Sequence, residues 1–203
     1  LKLLEYDTIY HEHLSYLSLK PVSILASKFG MEVIDVQERD IHGGSFRVFM
    51  ARKGVRKTNE RVELFRKKEQ DQNLSDPSKL SKFAIEVKQN KDVLRTLLQD
   101  LKSQGKRIAV VSTPAKGMTL LNYCKTGKEL IDFATEKSSL KVGKYTPGVH
   151  LPILADSALV EKKVDYALLL AWNFADEIME NLTEFRKSGG KFIIPIPHPK
   201  IIE

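Results

Sequence analysis

With 203 residues, 42% of them hydrophobic, the chain has enough apolar material for one large core or two small ones. It contains no apolar run long enough to cross a bilayer, its opening LKLLEYD lacks the features of a secretory signal, and its single cysteine, Cys124, excludes an internal disulfide or a cysteine-rich zinc site, so a soluble, cytoplasmic chain with no membrane partner is predicted. The net charge of +7 invites a nucleic-acid partner, but residues 52–107 carry 16 Lys/Arg against 8 Asp/Glu, more than the whole excess, in a mixed-sign stretch poor in aromatics that reads as a solvated helix face.

The first 54 residues predict a helix and a strand hairpin. After the triplet His11-Glu12-His13, apolar positions Leu14, Leu17, Ile24, Leu25 and Phe29 recur near helical spacing, Pro21 opens a second turn with its helix, and Gly30 stops it. MEVIDVQER and SFRVFMARKG then alternate as strands, with Phe46, Val48 and Met50 on one side of the second. This is too little for a domain and reads as the tail of a larger sheet.

Residues 55–105 predict connecting helices. TNERVELFRKKEQ has Thr58 or Asn59 as its cap, and DPSKLSKFAIEVKQNKDVLRTLLQDLKSQG has Asp76 as N-cap, Pro77 in the first turn and Gly105 as its stop. Its apolar face is traced by Leu80, Phe83 or Ala84, Val87, Leu94, Leu97 or Leu98, and Leu101.

From Lys106 to Glu203 strands and helices alternate. RIAVVST, LIDFATE, VDYALLLAW and a final KFIIPIP are strands, with helices in PAKGMTLLNYCKTG, at Ser157 to Lys162, and across FADEIMENLTEFRKSGG. That spacing predicts an α/β fold with a mostly parallel sheet covered on both faces, and ligands in such sheets sit outside the carboxyl ends of the strands.

Two loops at those ends hold the chemistry of an anion site. STPAKGMTLLNY brings Ser112, Thr113, Lys116, Gly117 and Thr119 to a helix N-terminus, whose free N–H groups and positive dipole end suit a phosphate, although neither a dinucleotide fingerprint nor a P-loop is present. KVGKYTPGVH adds Lys141, Lys144, Tyr145 and His150. Each also reads as an ordinary turn or solvated loop. The opening triplet admits three readings: two imidazoles of a metal shell, which neither His42 nor His150 completes by spacing; a polar helix start; or a histidine base flanked by a carboxylate and a phenol, His13 with Glu12 and Tyr10.

The segments YHEHLSYLSL, HGGSFRVFMAR, PAKGMTLLNYC, GKYTPGVHLPI and GGKFIIPIP occur in this order. Together they make nearly the whole chain resemble the carboxyl-terminal part of the S-adenosylmethionine-dependent nucleotide-sugar C-methyltransferases, transferases of deoxysugar biosynthesis. The resemblance implies three divisions: 1–54, the terminal helix and strand hairpin of a class I methyltransferase domain; 55–105, connecting helices; and 106–203, a Rossmann-like C-terminal domain that helps hold a nucleotide-linked keto-deoxysugar. It implies His13 as the base that removes the proton alpha to the sugar ketone, with Tyr10 and Glu12 beside it, and no metal in the chemistry. Thr113, Ala115, Lys116, Gly117, Asn122, Tyr123, Lys141, Lys144 and Tyr145 are the expected substrate-binding residues.

The glycine-rich S-adenosylmethionine loop and the zinc-domain cysteines of the family have no counterpart in these residues. The cofactor site is therefore expected mostly outside the chain, the rest of the methyltransferase domain is expected in cis or as a partner chain, and these residues alone are expected to be inactive. Val111, Ser112 and Thr113 stand where the family usually has a glycine-bearing turn. A non-catalytic nucleotide- or sugar-binding module of the same fold is the rival reading, nucleic-acid binding through the basic helices is a third, and a homodimer is compatible with each.

Overall fold

In a computed structural model of the chain, residues 3–41, 44–73 and 76–203 are described. They divide into two compact units, one of Leu1–Glu12 with Ala84–Glu203 and one of His13–Phe83.

The smaller unit precedes most of the larger one in the chain. Its helix α1 (Leu19–Lys28) is followed by strands β1 (Met31–Arg39) and β2 (Ser45–Arg52), paired antiparallel, and by helix α2 (Glu60–Gln72). Leu19, Val33, Val36 and Val62 form its core, with Phe46, Val48 and Phe65 packed against them. Asn59 caps α2 by accepting from the Arg61 N–H at 3.0 Å, as its position before the basic helix predicts.

One expectation changes here. The helix predicted to follow His13 begins at Leu19 instead, and residues 13–18 are irregular. The reason lies across the unit: the Glu69 carboxylate on α2 accepts from the N–H groups of Leu19 at 2.5 Å and Lys20 at 3.2 Å, supplying the negative charge and acceptors that a helix start requires. Pro21, in that first turn, gives up no intrahelical bond. The apolar residues used to predict the helix do not face the core of this unit. Leu14 is 91% exposed and Phe29 75%, and Leu17, Ile24 and Leu25 are also exposed, while Leu19 and Ala26 are buried.

The larger unit contains most of helix α3 (Pro77–Ser103) and a six-stranded sheet. Asp76 caps α3 by accepting from Ser78 N–H at 2.9 Å, and Gly105, at φ +75°, lies beyond its end. Val87, Asn90, Leu94, Leu98 and Leu101 are its buried stripe; Leu80 is exposed. The strands are β3 (Ile108–Val111), β4 (Phe133–Thr135), β5 (Ile153–Leu154), β6 (Tyr166–Leu169), β7 (Lys191–Ile194) and β8 (Lys200–Ile202), in the order β5-β4-β3-β6-β7-β8. The first five are mutually parallel and β8 runs antiparallel to β7.

Both faces of the central strands are buried, which is why RIAVVST reads as a continuous apolar run instead of an alternating one. On one face Ala109, Val111, Phe133, Ala167, Leu169 and Phe192 pack with residues of α5 (Ala158–Glu161), α6 (Ala175–Asn181) and α7 (Thr183–Lys187). Helix α4 (Ala115–Cys124) follows β3, and Gly117 in its first turn lets it approach Leu170: a methyl group there would lie 2.6 Å from the Leu170 Cβ. The sheet crosses over between β3 and β6, the topological switch point of a Rossmann-like fold.

Three local expectations are revised. FADEIMENLTEFRKSGG forms two helices broken at buried Leu182, preceded by a 3-10 turn at Trp172–Phe174. KFIIPIP is not the last strand, because residues 200–202 return along it. Ile153–Leu154 is a short strand that pairs with β4.

Candidate functional site

The strand ends bring the expected binding residues into three groups instead of one. In the first, Thr113, buried just after β3, donates its N–H (3.1 Å) and hydroxyl (2.8 Å) to Glu136 Oε2, at the end of β4. Lys141 Nζ reaches the same carboxylate oxygen at 3.1 Å and the Thr113 carbonyl at 3.0 Å. Burial raises the Glu136 carboxyl pKa, but the bonds from Thr113 and Lys141 outweigh it and hold the group at about 2. Thr113 and Lys141, read from the sequence as anion ligands, thus converge on an anion that the protein itself supplies. Ser112, preceding them, adopts φ +67°, the conformation that a glycine takes without strain.

The second group spans the switch point. Lys116, in the first turn of α4, places Nζ 4.5 Å from the centroid of the Trp172 ring and hydrogen-bonds Asn173 Oδ1, both just beyond β6. Burial lowers the Lys116 pKa, and the charges of Asp7 and Glu5 oppose that shift. Trp172 Nε1 in turn donates to Asp7 Oδ2 at 2.7 Å. Burial pushes the Asp7 carboxyl up, against the Trp172 hydrogen bond and the Lys116 charge.

The third group is at the far end of α4. Asn122 Nδ2 donates to the carbonyls of Met118 (2.8 Å) and Pro147 (3.3 Å), holding the 141–150 loop to the helix. Tyr123 meets the Tyr6 ring at a tilt of 59°, centroids 5.3 Å apart, with Lys91 Nζ 5.1 Å from the Tyr123 centroid. Ala115, Lys144 and Tyr145 are exposed. Gly148, at φ +81°, leaves room for Asn122: a methyl group there would lie 1.9 Å from Oδ1. Gly148→Ala is therefore expected to cost on the order of 1–3 kcal/mol, through both strain and overlap, and denaturant unfolding of the variant measures it.

Beside the first of these groups a cleft of about 300 Å³ opens at the ends of β3, β4 and β6, lined in part by Ser112, Glu136, Asp156, Phe174, Glu177 and Asn181. Its carboxylates outnumber its one cation, Lys137, so the floor of the cleft does not suit a phosphate.

Of the predicted catalytic residues, Tyr10 and Glu12 belong to the larger unit and His13 to the smaller. His13 is exposed and meets the Tyr16 ring edge-on at 6.4 Å, and Tyr10 meets His11 at 6.1 Å. Among the described residues no three His, Cys, Asp or Glu side chains are grouped to hold a metal; His42, weighed above as a third ligand, lies outside them. The larger unit does not fit S-adenosylmethionine at its first strand-to-helix turn. Gly117 is filled against Leu170, and the Thr113 N–H is taken by Glu136.

Sequence reasoning missed Glu136, Trp172, Asn173, Tyr6, Asp7 and Asn90. The first three lie on strand ends that topology marks as ligand-facing. Asn90 falls between Val87 and Leu94 on the buried stripe of α3, where a polar residue needs partners: it accepts from the Tyr6 O–H at 2.8 Å and donates to the Pro195 and Pro197 carbonyls at 2.8 and 2.9 Å. Nothing local to LEYD marks Tyr6 and Asp7.

Residues 40–197 match the C-methyltransferase C-terminal domain family. The chain belongs to that family. It is also 37% identical over 199 residues to the C-methyltransferase NovU of Streptomyces niveus, a match that covers 98% of this chain and 47% of NovU. The chain therefore spans about half the length of the curated relative it matches, and that match takes in the segment that precedes residue 40. No helix among the described residues is long and apolar enough to cross a membrane.

Proposed function

We propose that this chain is the carboxyl-terminal portion of an S-adenosylmethionine-dependent sugar C-methyltransferase, acting at the carbon alpha to the ketone of a nucleotide-linked keto-deoxysugar. The observation that carries the reading is the match to a C-methyltransferase along almost the whole chain, the YHEH segment included. Residues 1–54 are then the end of the methyltransferase domain, 55–105 the connection and 106–203 the sugar-nucleotide-holding domain.

The exposed apolar side chains Leu14, Leu17, Ile24, Leu25 and Phe29 support the first of these assignments. A surface of this kind on so small a unit suits the rest of a methyltransferase core, in cis or as a partner chain. Lys116, a cation in the first turn of the helix that follows β3, supports the last, as a group suited to the diphosphate. S-adenosylmethionine supplies the methyl group, from a site proposed to lie mostly outside these residues. His13 takes the alpha proton, Glu12 and Tyr10 set its basicity and orientation, and the resulting enolate is the nucleophile. The work is cytoplasmic.

The test is methyl transfer. These 203 residues joined to a class I methyltransferase core are expected to methylate a keto-deoxysugar nucleotide, and the 203 residues alone are expected not to. Turnover by the isolated chain, or none by the complete polypeptide on any keto-sugar nucleotide, overturns the proposal.

A further inference from the structure

The segment that leads into YHEH is anchored by buried polar contacts. Asp7 is fully buried in the 3-10 turn Tyr6–Thr8, and its carboxylate accepts from Trp172 Nε1 at 2.7 Å, across 165 residues of sequence. Tyr6, beside it, is held by Asn90, whose amide is itself bonded to two backbone carbonyls. Pairs of this kind add little net stability, because desolvation offsets most of what the bond gains. Breaking one, however, leaves a buried group unpaired, so they permit few arrangements of the segment that carries them.

The anchored turn extends to the predicted catalytic residues. The Ile9 N–H donates to the Tyr6 carbonyl and the Tyr10 N–H to the Thr8 carbonyl, both at 3.1 Å, and the Thr8 hydroxyl donates to the Glu5 carbonyl at 2.8 Å. Tyr10 is thus bonded into the turn that Asp7 holds, and Glu12 follows two residues later. The same Trp172 ring carries Lys116, so one side chain touches both this turn and the first turn of α4.

We infer that Asp7 and Trp172 are a positioning pair, holding the Tyr10–Glu12 segment in the placement that proton transfer requires. The inference rests on the function proposed above, and neither residue touches the reacting atoms. It differs from a purely structural role in a measurable way: loss of the bond disturbs the segment and the chemical step while the sheet stays intact.

Three variants separate the cases. Asp7→Asn keeps an oxygen acceptor, Asp7→Ala removes it, and Trp172→Phe keeps a ring but removes the donor. In the 203-residue chain, amide hydrogen exchange at Ile9 and Tyr10 is expected to quicken roughly tenfold in Asp7→Ala and Trp172→Phe and to stay near wild type in Asp7→Asn, with β3 amides unchanged. Trp172 is the only tryptophan of the chain, so its emission is expected to shift in Asp7→Ala and not in Asp7→Asn.

In the polypeptide with a complete core, kcat is expected to fall roughly ten- to a hundredfold in Asp7→Ala with KM for the sugar nucleotide unchanged, and Asp7→Asn is expected to restore most of it. Unchanged exchange in Asp7→Ala, faster exchange with unchanged kcat, or acceleration spread through the sheet each overturns the inference. A complete wild-type protein that methylates nothing overturns the proposed function and the positioning role with it, and the exchange pattern distinguishes that outcome from a failure of the Asp7–Trp172 contact.

Discussion

Replacing His13 by Asn or Ala in a polypeptide that carries the complete methyltransferase core is expected to lower kcat by on the order of a hundredfold or more, the usual worth of a general base. A proton alpha to a ketone is a weak acid in water, so its removal near neutral pH needs a base held against it while charge develops on the ketone oxygen. An imidazole has the right intrinsic basicity, and Asn keeps much of its size while removing that basicity. Because the contact matters in the transition state, KM for the sugar nucleotide is expected to change little. The step can be isolated: in deuterated water and without the methyl donor, the wild-type protein is expected to exchange the alpha hydrogen of the keto-sugar, and His13→Asn is not. Exchange that survives in the variant would remove His13 from the role of base, whatever happens to overall turnover.

The second large effect is expected at Glu136, in acid. Its carboxyl sits at about 2 in the folded chain against an ordinary value of 4.5. A depressed folded value means that the ionised form is the one stabilised by folding. The contribution is therefore fully present above the ordinary value and is lost as the pH falls from there towards 2. The group is partly open to solvent, so the shift is worth on the order of 1–2 kcal/mol after screening, less than its full conversion. Glu136→Gln retains an oxygen for Thr113 and loses the charge facing Lys141, so the gap in stability between wild type and variant is expected to be widest at neutral pH and to close as the pH is lowered through that window. Urea unfolding of the two proteins at a series of pH values reads this directly, and a gap that stays constant with pH would show that the carboxylate is not held by Thr113 and Lys141 in solution.

The two residues differ in how visible they are in the sequence. The triplet of His11, Glu12 and His13 stands out in the sequence but admits three readings there, and the role of base comes to His13 from the resemblance. Glu136 is one of many acidic residues, and its partners are 23 residues before it and 5 after it. Only the parallel pairing of β3 with β4 sets the ends of those strands side by side. Lys116 shows the same dependence: its place at a helix start is local, but Trp172 and Asn173 reach it only because β6 lies next to β3 on the other side.

The secondary structure divides along the same line. The long helix Pro77–Ser103 is legible because its cap, first-turn proline, apolar stripe and terminal glycine lie within it or no more than two residues from its ends, and the central strands are legible because burial on both faces makes them uniformly apolar. The start of α1 is not, since its capping carboxylate comes from Glu69, and the exposed Leu14 and Phe29 give the same periodic signal as core residues. Strand β8 is three residues long and exists through its pairing with β7, so no local pattern announces it.

For this protein, then, the order of amino acids by itself determined the alternation of helices and strands from Lys106 onward, the caps of its two middle helices and the YHEH segment, because each is written in contiguous residues whose conformational preferences and burial follow from their immediate neighbours. The tertiary structure alone decided which groups share a charge or a proton donor. Glu136 with Thr113, Lys116 with Trp172, and Asp7 with Trp172 are made by strand order and by packing across long stretches of chain, and hydrogen bonds act only at the few ångströms that folding sets.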